Sequence, residues 1–212
     1  MSREAPRARA PGRVDGGPLL VVISGPSGVG KDTVLAHLRE RGLPIHFTIT
    51  TTTRPPRDGD PEGQRGLTFV SQQEFQRLLA NGALLEHAEV YGHHYGVPKA
   101  QVRDALARGQ DVVVRVDVQG AATIKQLAPE AVLIFVAPPS LDELEERLRG
   151  RALDDEAALH RRLDTAEEEL ARSSTFDHVV VNERDNIDDA VEQVLEIMAA
   201  ERQRPGRKPV QL

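Results

Sequence analysis

The sequence contains no cysteine, which excludes a disulfide framework and any thiolate chemistry. That absence suits the cytoplasm, the expected compartment. Tryptophan is missing too, and five Phe and two Tyr are the only aromatics, too few for a base-stacking platform. No apolar run approaches the ~20 residues that cross a bilayer, so no membrane partner is expected. Positive charge is not in surplus. Twenty-seven Lys and Arg face thirty-three Asp and Glu, a net charge of −6, which disfavours broad nucleic-acid binding. Local Arg clusters remain able to hold an anionic ligand. The opening stretch MSREAPRARAPGRVDGG is charged and lacks the apolar core of a secretory signal. Residues 1–18 are therefore expected to form a disordered tail, and 205–212 a flexible one.

What remains is an ordinary soluble balance, 39% hydrophobic and 28% charged over 212 residues, the size of one α/β domain. Leu19 to Ser24 is a short, β-branched apolar run, the pattern of a buried parallel strand. Similar runs recur at Asp111–Val118, Ala131–Ala137 and His178–Val181. Between them the apolar period becomes helical, as at Val34, Leu35 and Leu38, at Leu141, Leu144 and Leu148, and at Leu159, Leu163, Ala166 and Leu170. Ile187, Val191, Val194, Leu195 and Met198 mark a last helix. Ser71 and Glu74 form a capping box for a helix ending at Asn81-Gly82, and Pro98 opens another. Phe47–Thr50 reads as a strand, Thr51–Gly66 as mostly loop, Leu67–Val70 as a short strand and Ala83–Tyr91 as extended. This alternation predicts an α/β fold: a parallel sheet covered on both faces.

The stretch ISGPSGVGKDTV, Ile23 to Val34, nearly matches the phosphate-binding pattern Gly-x4-Gly-Lys-Ser/Thr. Gly25, Pro26, Ser27, Gly28, Val29, Gly30 and Lys31 fit, but Asp32 stands at the hydroxyl position. The context is right, because the loop leaves a buried strand and enters a helix. Glycines let successive N–H groups turn inward, the helix N-terminus adds partial positive charge, and Lys31 would reach the terminal phosphates. Thr33, one position on, is the expected donor of the hydroxyl to phosphate or to a metal's water shell. Asp32 either faces away, serves as an outer carboxylate for that metal, or stabilises the helix N-terminus by ~0.3–1 kcal/mol.

Arg54 and Arg57 lie three apart, stiffened by Pro55 and Pro56, a spacing suited to bidentate bonds with a phosphate monoester. Glu86 sits in an apolar strand context, with Glu89 as the competing candidate. A carboxylate there accepts from both N1–H and the exocyclic amine of guanine, a pair that adenine does not offer. Tyr95 is a further hydroxyl for the acceptor phosphate. His87, His93 and His94 carry no regular metal-ligand spacing.

Taken together, GPSGVGK, TTTRPPRDGD, LLEHAEVYGHHYG, VDVQGA, RLRGR and FDHVVVN resemble the guanylate kinase family in order and spacing, from about Leu19 to Arg204. The resemblance implies a P-loop core of residues 19–50 and 99–204, an acceptor-binding insertion near 51–98 and a lid near 150–156. It implies transfer of the γ-phosphoryl of ATP, with Mg2+, to GMP, giving ADP and GDP. By position, Lys31, Arg54, Arg147, Arg151 and Arg162 match catalytic residues. Thr50 and Glu86 match guanine contacts, and Arg54, Arg57 and Tyr95 match acceptor-phosphate contacts. Asp117 matches a carboxylate near guanine and the metal's waters, and Asn182 a residue near the adenine end. No residue is expected to bind the metal directly; Thr33, Asp32 or Asp117 would act through water.

Several positions depart from the family's pattern. Beyond Asp32, Gly66-Leu67 stands where a second phosphate-binding Tyr is usual, with one extra residue nearby. Val97 replaces a hydroxyl residue that touches the base, Arg115 replaces a frequent acidic residue two before Asp117, and Ala152 replaces a glycine in the lid. These departures bear on acceptor affinity and base selectivity. Two other readings stand beside GMP kinase. One is a kinase of another phosphorylated acceptor such as ribose 1,5-bisphosphate, since such enzymes also carry Gly-Lys-Asp and Tyr-Gly-Val. The other is a non-catalytic binding module, a class that usually lacks the P-loop lysine.

Overall fold

A computed structural model describes residues 16–56, 66–90, 92–149 and 156–212. Among the described residues, five parallel strands form the central sheet: β1 (Leu20–Ser24), β2 (Ile45–Phe47), β7 (Asp111–Arg115), β8 (Val132–Ala137) and β9 (His178–Val181), in the order β2-β7-β1-β8-β9. Every residue of β1 and β8 is buried, which explains their continuous apolar character. Each such Val, Leu or Ile contributes about 1.5–3 kcal/mol of burial. Val21, Ile23 and Val113 face one core with α1 (Lys31–Glu40) and α7 (Ile187–Gln203); Leu20, Val22, Val112 and Val114 face the other, with α3 (Lys99–Ala107) and α4 (Val118–Leu127). The sheet is thus covered on both faces, as the alternation predicts. Helices α5 (Leu141–Arg149) and α6 (Glu156–Ala171) pack over its carboxyl edge through Leu144, Leu148, Leu159 and Ala166.

A second sheet has the order β4-β3-β6-β5, built from β3 (Thr50–Thr52), β4 (Leu67–Phe69), β5 (Leu84–Val90) and β6 (His93–Pro98). Helix α2 (Gln72–Ala80) packs with it, its N-terminus capped by Ser71 Oγ, which accepts from the Glu74 amide at 3.1 Å. Four readings need correction or completion here. The expected strand Phe47–Thr50 is split, because the chain leaves β2 and enters β3 in the other sheet, so Thr51 and Thr52 are strand rather than loop. Residues His93–Pro98 form a strand that pairs antiparallel with β5. Strand β7 ends at Arg115, because Asp117 caps a helix that begins at Val118.

The fourth concerns the C-terminal segment, which is docked rather than loose. Arg207 is buried and donates to the carbonyls of Gly17 and Pro18, while Val210 and Leu212 pack against the α3/α4 core. Buried Asp111 helps fix the same corner by accepting from the Leu19 amide at 2.8 Å and pairing with Arg202. Among the described residues, no helix is long and apolar enough to cross a membrane.

Candidate active site

The loop from Gly25 to Gly30 lies between β1 and α1, at the carboxyl end of the parallel sheet. Gly25 has φ +138° and lies against the Val136 carbonyl, so a side chain there would collide with the backbone of β8. Gly30, at φ +99°, is the residue before α1 and abuts the Asn182 amide. Asn182 is buried. Its Nδ2 donates to the Val29 carbonyl at 2.7 Å, and its Oδ1 has no partner among the described residues.

Lys31 is half-buried, and its ammonium donates to the carbonyls of Gly25 and, at 2.9 Å, Pro26. Burial lowers its pKa to about 8, against the opposing pull of Glu169. Glu169, on α6, was not legible as a site residue. Burial raises its carboxyl to about 7, opposed chiefly by Lys31, and it also accepts from the Ser27 backbone. The signal was weak: Glu169 ends a run of three glutamates that reads as a solvated face, although it lies three residues past buried Ala166.

Arg147 is placed differently from expectation. Its Nη2 donates to the Asn182 carbonyl at 2.9 Å and its Nη1 to the Val29 carbonyl at 3.2 Å, while Nε meets Glu143 at 2.8 Å. The guanidinium braces the loop from α5 instead of standing open toward a phosphate. Arg162 is half-buried on α6. Arg151 and the remainder of the expected lid up to Asp155 lie outside the described residues, as does Arg57.

Thr33 is exposed on the first turn of α1. Asp32, beside it, pairs at 2.6 Å with Arg115 at the end of β7. The two departures noted separately in the sequence are therefore one structural unit, a relation none of the readings of Asp32 included.

Across the end of β7 lies the second pocket. Glu86 is 4% exposed, with Oε2 packed so closely over Gly120 that a Cβ there would lie 2.7 Å away. Burial, and then Asp117, push its carboxyl up to about 8. Glu89 is exposed, so the competing candidate faces away from this pocket. Asp117 Oδ1 caps α4 by accepting from the Gly120 amide at 2.7 Å. Thr50 is buried on β3, Tyr95 is half-buried on β6, and the Arg54 guanidinium lies 5.5 Å over the Phe69 ring. Val116 donates its amide to the Ile23 carbonyl at 3.3 Å, just before the phosphate loop, and Gly120, capped by Asp117, lies against Glu86, so the two halves of the site meet at the β7–α4 turn.

A glycine-rich loop that ends a buried parallel strand and carries Lys31 into a helix, facing a pocket with a buried carboxylate, defines a P-loop nucleotide-binding protein. Comparisons with known proteins make the assignment narrower. The family model for guanylate kinase matches residues 18–201. The guanylate kinase of Gloeobacter violaceus is 47% identical over 195 residues, 91% of this chain and 94% of that one. That of Carboxydothermus hydrogenoformans is 41% identical over 189 residues, 89% and 91% of the two chains. The crystal structure of guanylate kinase from Anaplasma phagocytophilum superposes with a TM-score of 0.75 at 34% identity, covering 91% of this chain and 90% of that one. The chain belongs to the guanylate kinase family and is an enzyme of that family.

Proposed function

We propose that the protein transfers the γ-phosphoryl of ATP to the phosphate of GMP, giving ADP and GDP. The observation that carries this reading is the placing of the buried Glu86 pocket beside the phosphate loop, through the Val116–Ile23 hydrogen bond and the Asp117 cap on Gly120 against which Glu86 lies. Lys31 and the loop amides from Gly25 to Gly30 hold the donor phosphates. Thr33, on the same first turn, is the hydroxyl directed at them. Arg54, Arg57 and Tyr95 hold the acceptor phosphate, and Thr50, Glu86 and Asp117 surround guanine. An oxygen of the GMP phosphate attacks the γ-phosphorus as the bond to the ADP leaving oxygen breaks. Placement and charge neutralisation are what the protein must supply. Arg162 and Arg151 are assigned to the charge on the transferred group. Arg147 is reassigned to hold Val29 and Asn182 in place, so that the loop amides keep their direction.

The donor set suits Mg2+ carried in by the nucleotide. Mg2+ commonly keeps its waters and uses substrate phosphates as ligands, and the oxygen donors beside the loop are the Thr33 hydroxyl and the Asp32 and Asp117 carboxylates. Thr33, Asp32 or the remaining oxygen of Asp117 would meet its water shell. When bound, the ion neutralises charge on the phosphates.

An ADP-release assay with GMP, AMP and ribose 1,5-bisphosphate tests the reading. Turnover with GMP alone supports it. Turnover with the ribose bisphosphate alone replaces it. Failure to turn over any acceptor or to bind ATP favours a binding module.

Glu86 also gives the acceptor step a pH dependence. It accepts guanine N–H groups only as a carboxylate, yet burial holds its pKa near about 8. Below that pH, GMP binding must release a proton. GMP affinity is therefore expected to rise with pH, by up to about tenfold per unit, from about pH 7 and to level off above about 8. Calorimetric dissociation constants across that range check this. A flat profile in the unmodified protein contradicts it, whereas Glu86→Gln should give one.

A further inference from the structure

Guanine presents two kinds of edge. Glu86, an acceptor, suits the N1–H and amine side, while O6 and N7 are acceptors and require protein donors. Val97, at a position where a hydroxyl is usual, is fully buried and offers none. A pocket beside α1 supplies donors instead. It is lined by Asp32, Arg39, Phe47, Thr48, Thr50 and Arg115. The Arg39 guanidinium is stacked 4.6 Å over the Phe47 ring. Arg115 Nη1 is held by Asp32 at 2.6 Å, which fixes one end of a fork that carries five N–H donors.

The pair's exposure bears on its purpose. The side chains are 26% and 66% exposed, and an ion pair that open adds little to stability. It does restrict the direction of Arg115. Thr50 lines this pocket together with Arg115, and its strand β3 pairs with β6 (Thr51 opposite Gly96), whose Val97 pairs with Glu86 on β5, so only β6 separates Thr50 from Glu86. A purine lying between Thr50 and Glu86 would present one edge to Arg115 and the other to Glu86.

We propose that Arg115, braced by Asp32, donates to the O6/N7 edge of the acceptor guanine and is a specificity determinant against adenine, whose N6 amine is itself a donor. This rests on GMP being the acceptor. Asp32 acts through Arg115 and is a positioning residue.

Calorimetric titration of the full chain with GMP, inosine monophosphate and AMP tests the proposal. Inosine monophosphate keeps O6 and N7 and lacks the amine. Arg115→Ala is expected to weaken GMP and inosine monophosphate by about tenfold each, with AMP nearly unchanged, in line with one bidentate Arg–guanine contact. Asp32→Ala should produce a smaller loss on the same two ligands, and no further loss when added to Arg115→Ala. Arg115→Lys, which keeps the charge and loses the fork, reads the same ratio should Arg115→Ala fail to fold. An unchanged GMP-to-AMP ratio overturns the proposal. Equal losses for all three ligands also overturn it, by placing Arg115 on the phosphate they share. Additive effects of Asp32→Ala and Arg115→Ala overturn the bracing. Failure of the unmodified protein to bind GMP removes the parent reading; intact GMP binding with any of these contrary outcomes removes this one alone.

Discussion

Replacing Lys31 by Met is expected to lower kcat for ATP-dependent phosphoryl transfer by about 10²–10³-fold, the scale seen when one preorganised electrostatic contact to a developing charge is lost. The apolar stem is kept, so packing beside the loop changes little. The lost group is an ammonium already inside the glycine turn, donating to Gly25 and Pro26. Its lowered pKa shows the desolvation the fold accepts to keep it there, with Glu169 opposing the shift. Binding of phosphates would bring negative charge to that ammonium and restore its preference for the protonated form. Steady-state kinetics at saturating GMP check this, with calorimetry for GMP alone as the control. GMP affinity should stay within about threefold, because the acceptor pocket is built from other elements. Activity within about tenfold of the unmodified enzyme would remove Lys31 from the phosphate site.

Glu86→Gln is expected to reduce the preference for GMP over AMP by about 10²-fold, as kcat/KM with each acceptor. A carboxylate can accept from both guanine donors at once; an amide offers one acceptor and turns an N–H toward the other. A hydrogen bond to a charged group is worth about 1.5–3 kcal/mol, and a buried donor left facing a donor adds to the loss. AMP makes no such pair with Glu86, so its rate should move little. The substitution is nearly isosteric, and Gln relieves the cost that pushes the carboxyl to about 8, so the fold should not be weakened. An unchanged GMP-to-AMP ratio would mean that Glu86 is a buried structural carboxyl.

The parallel core was legible because its physics is local. Strands buried on both faces read as apolar runs, and the glycine loop has one mechanically sensible context, between such a strand and a helix. The insertion was less so. Thr50–Thr52 is a short, polar strand whose partners β4 and β6 lie well along the chain, and His93–Pro98, though paired chiefly with the adjacent β5, is a polar stretch with no apolar alternation to mark it as a strand. The docking of Arg207 on Gly17 and Pro18 depends on a partner some 190 residues away, so the segment's local composition read as a tail. Asp32 and Arg115 were each visible as departures, but their pairing over 83 positions is a fact of the fold alone. The same holds for Glu169, whose role by Lys31 depends on how α6 crosses the loop. Arg147 shows the converse: a motif match indicated a phosphate-facing arginine, and the backbone carbonyls of Val29 and Asn182 hold it.

The central claim is that two pockets, one built on Lys31 and one on Glu86, receive a triphosphate and a guanosine monophosphate end to end. Its most direct test is calorimetric titration with adenosine and guanosine joined through five phosphates. One molecule should bind per chain, more tightly than ATP or GMP, and should exclude both. Binding no tighter than ATP alone, or continued uptake of GMP in its presence, would contradict the account.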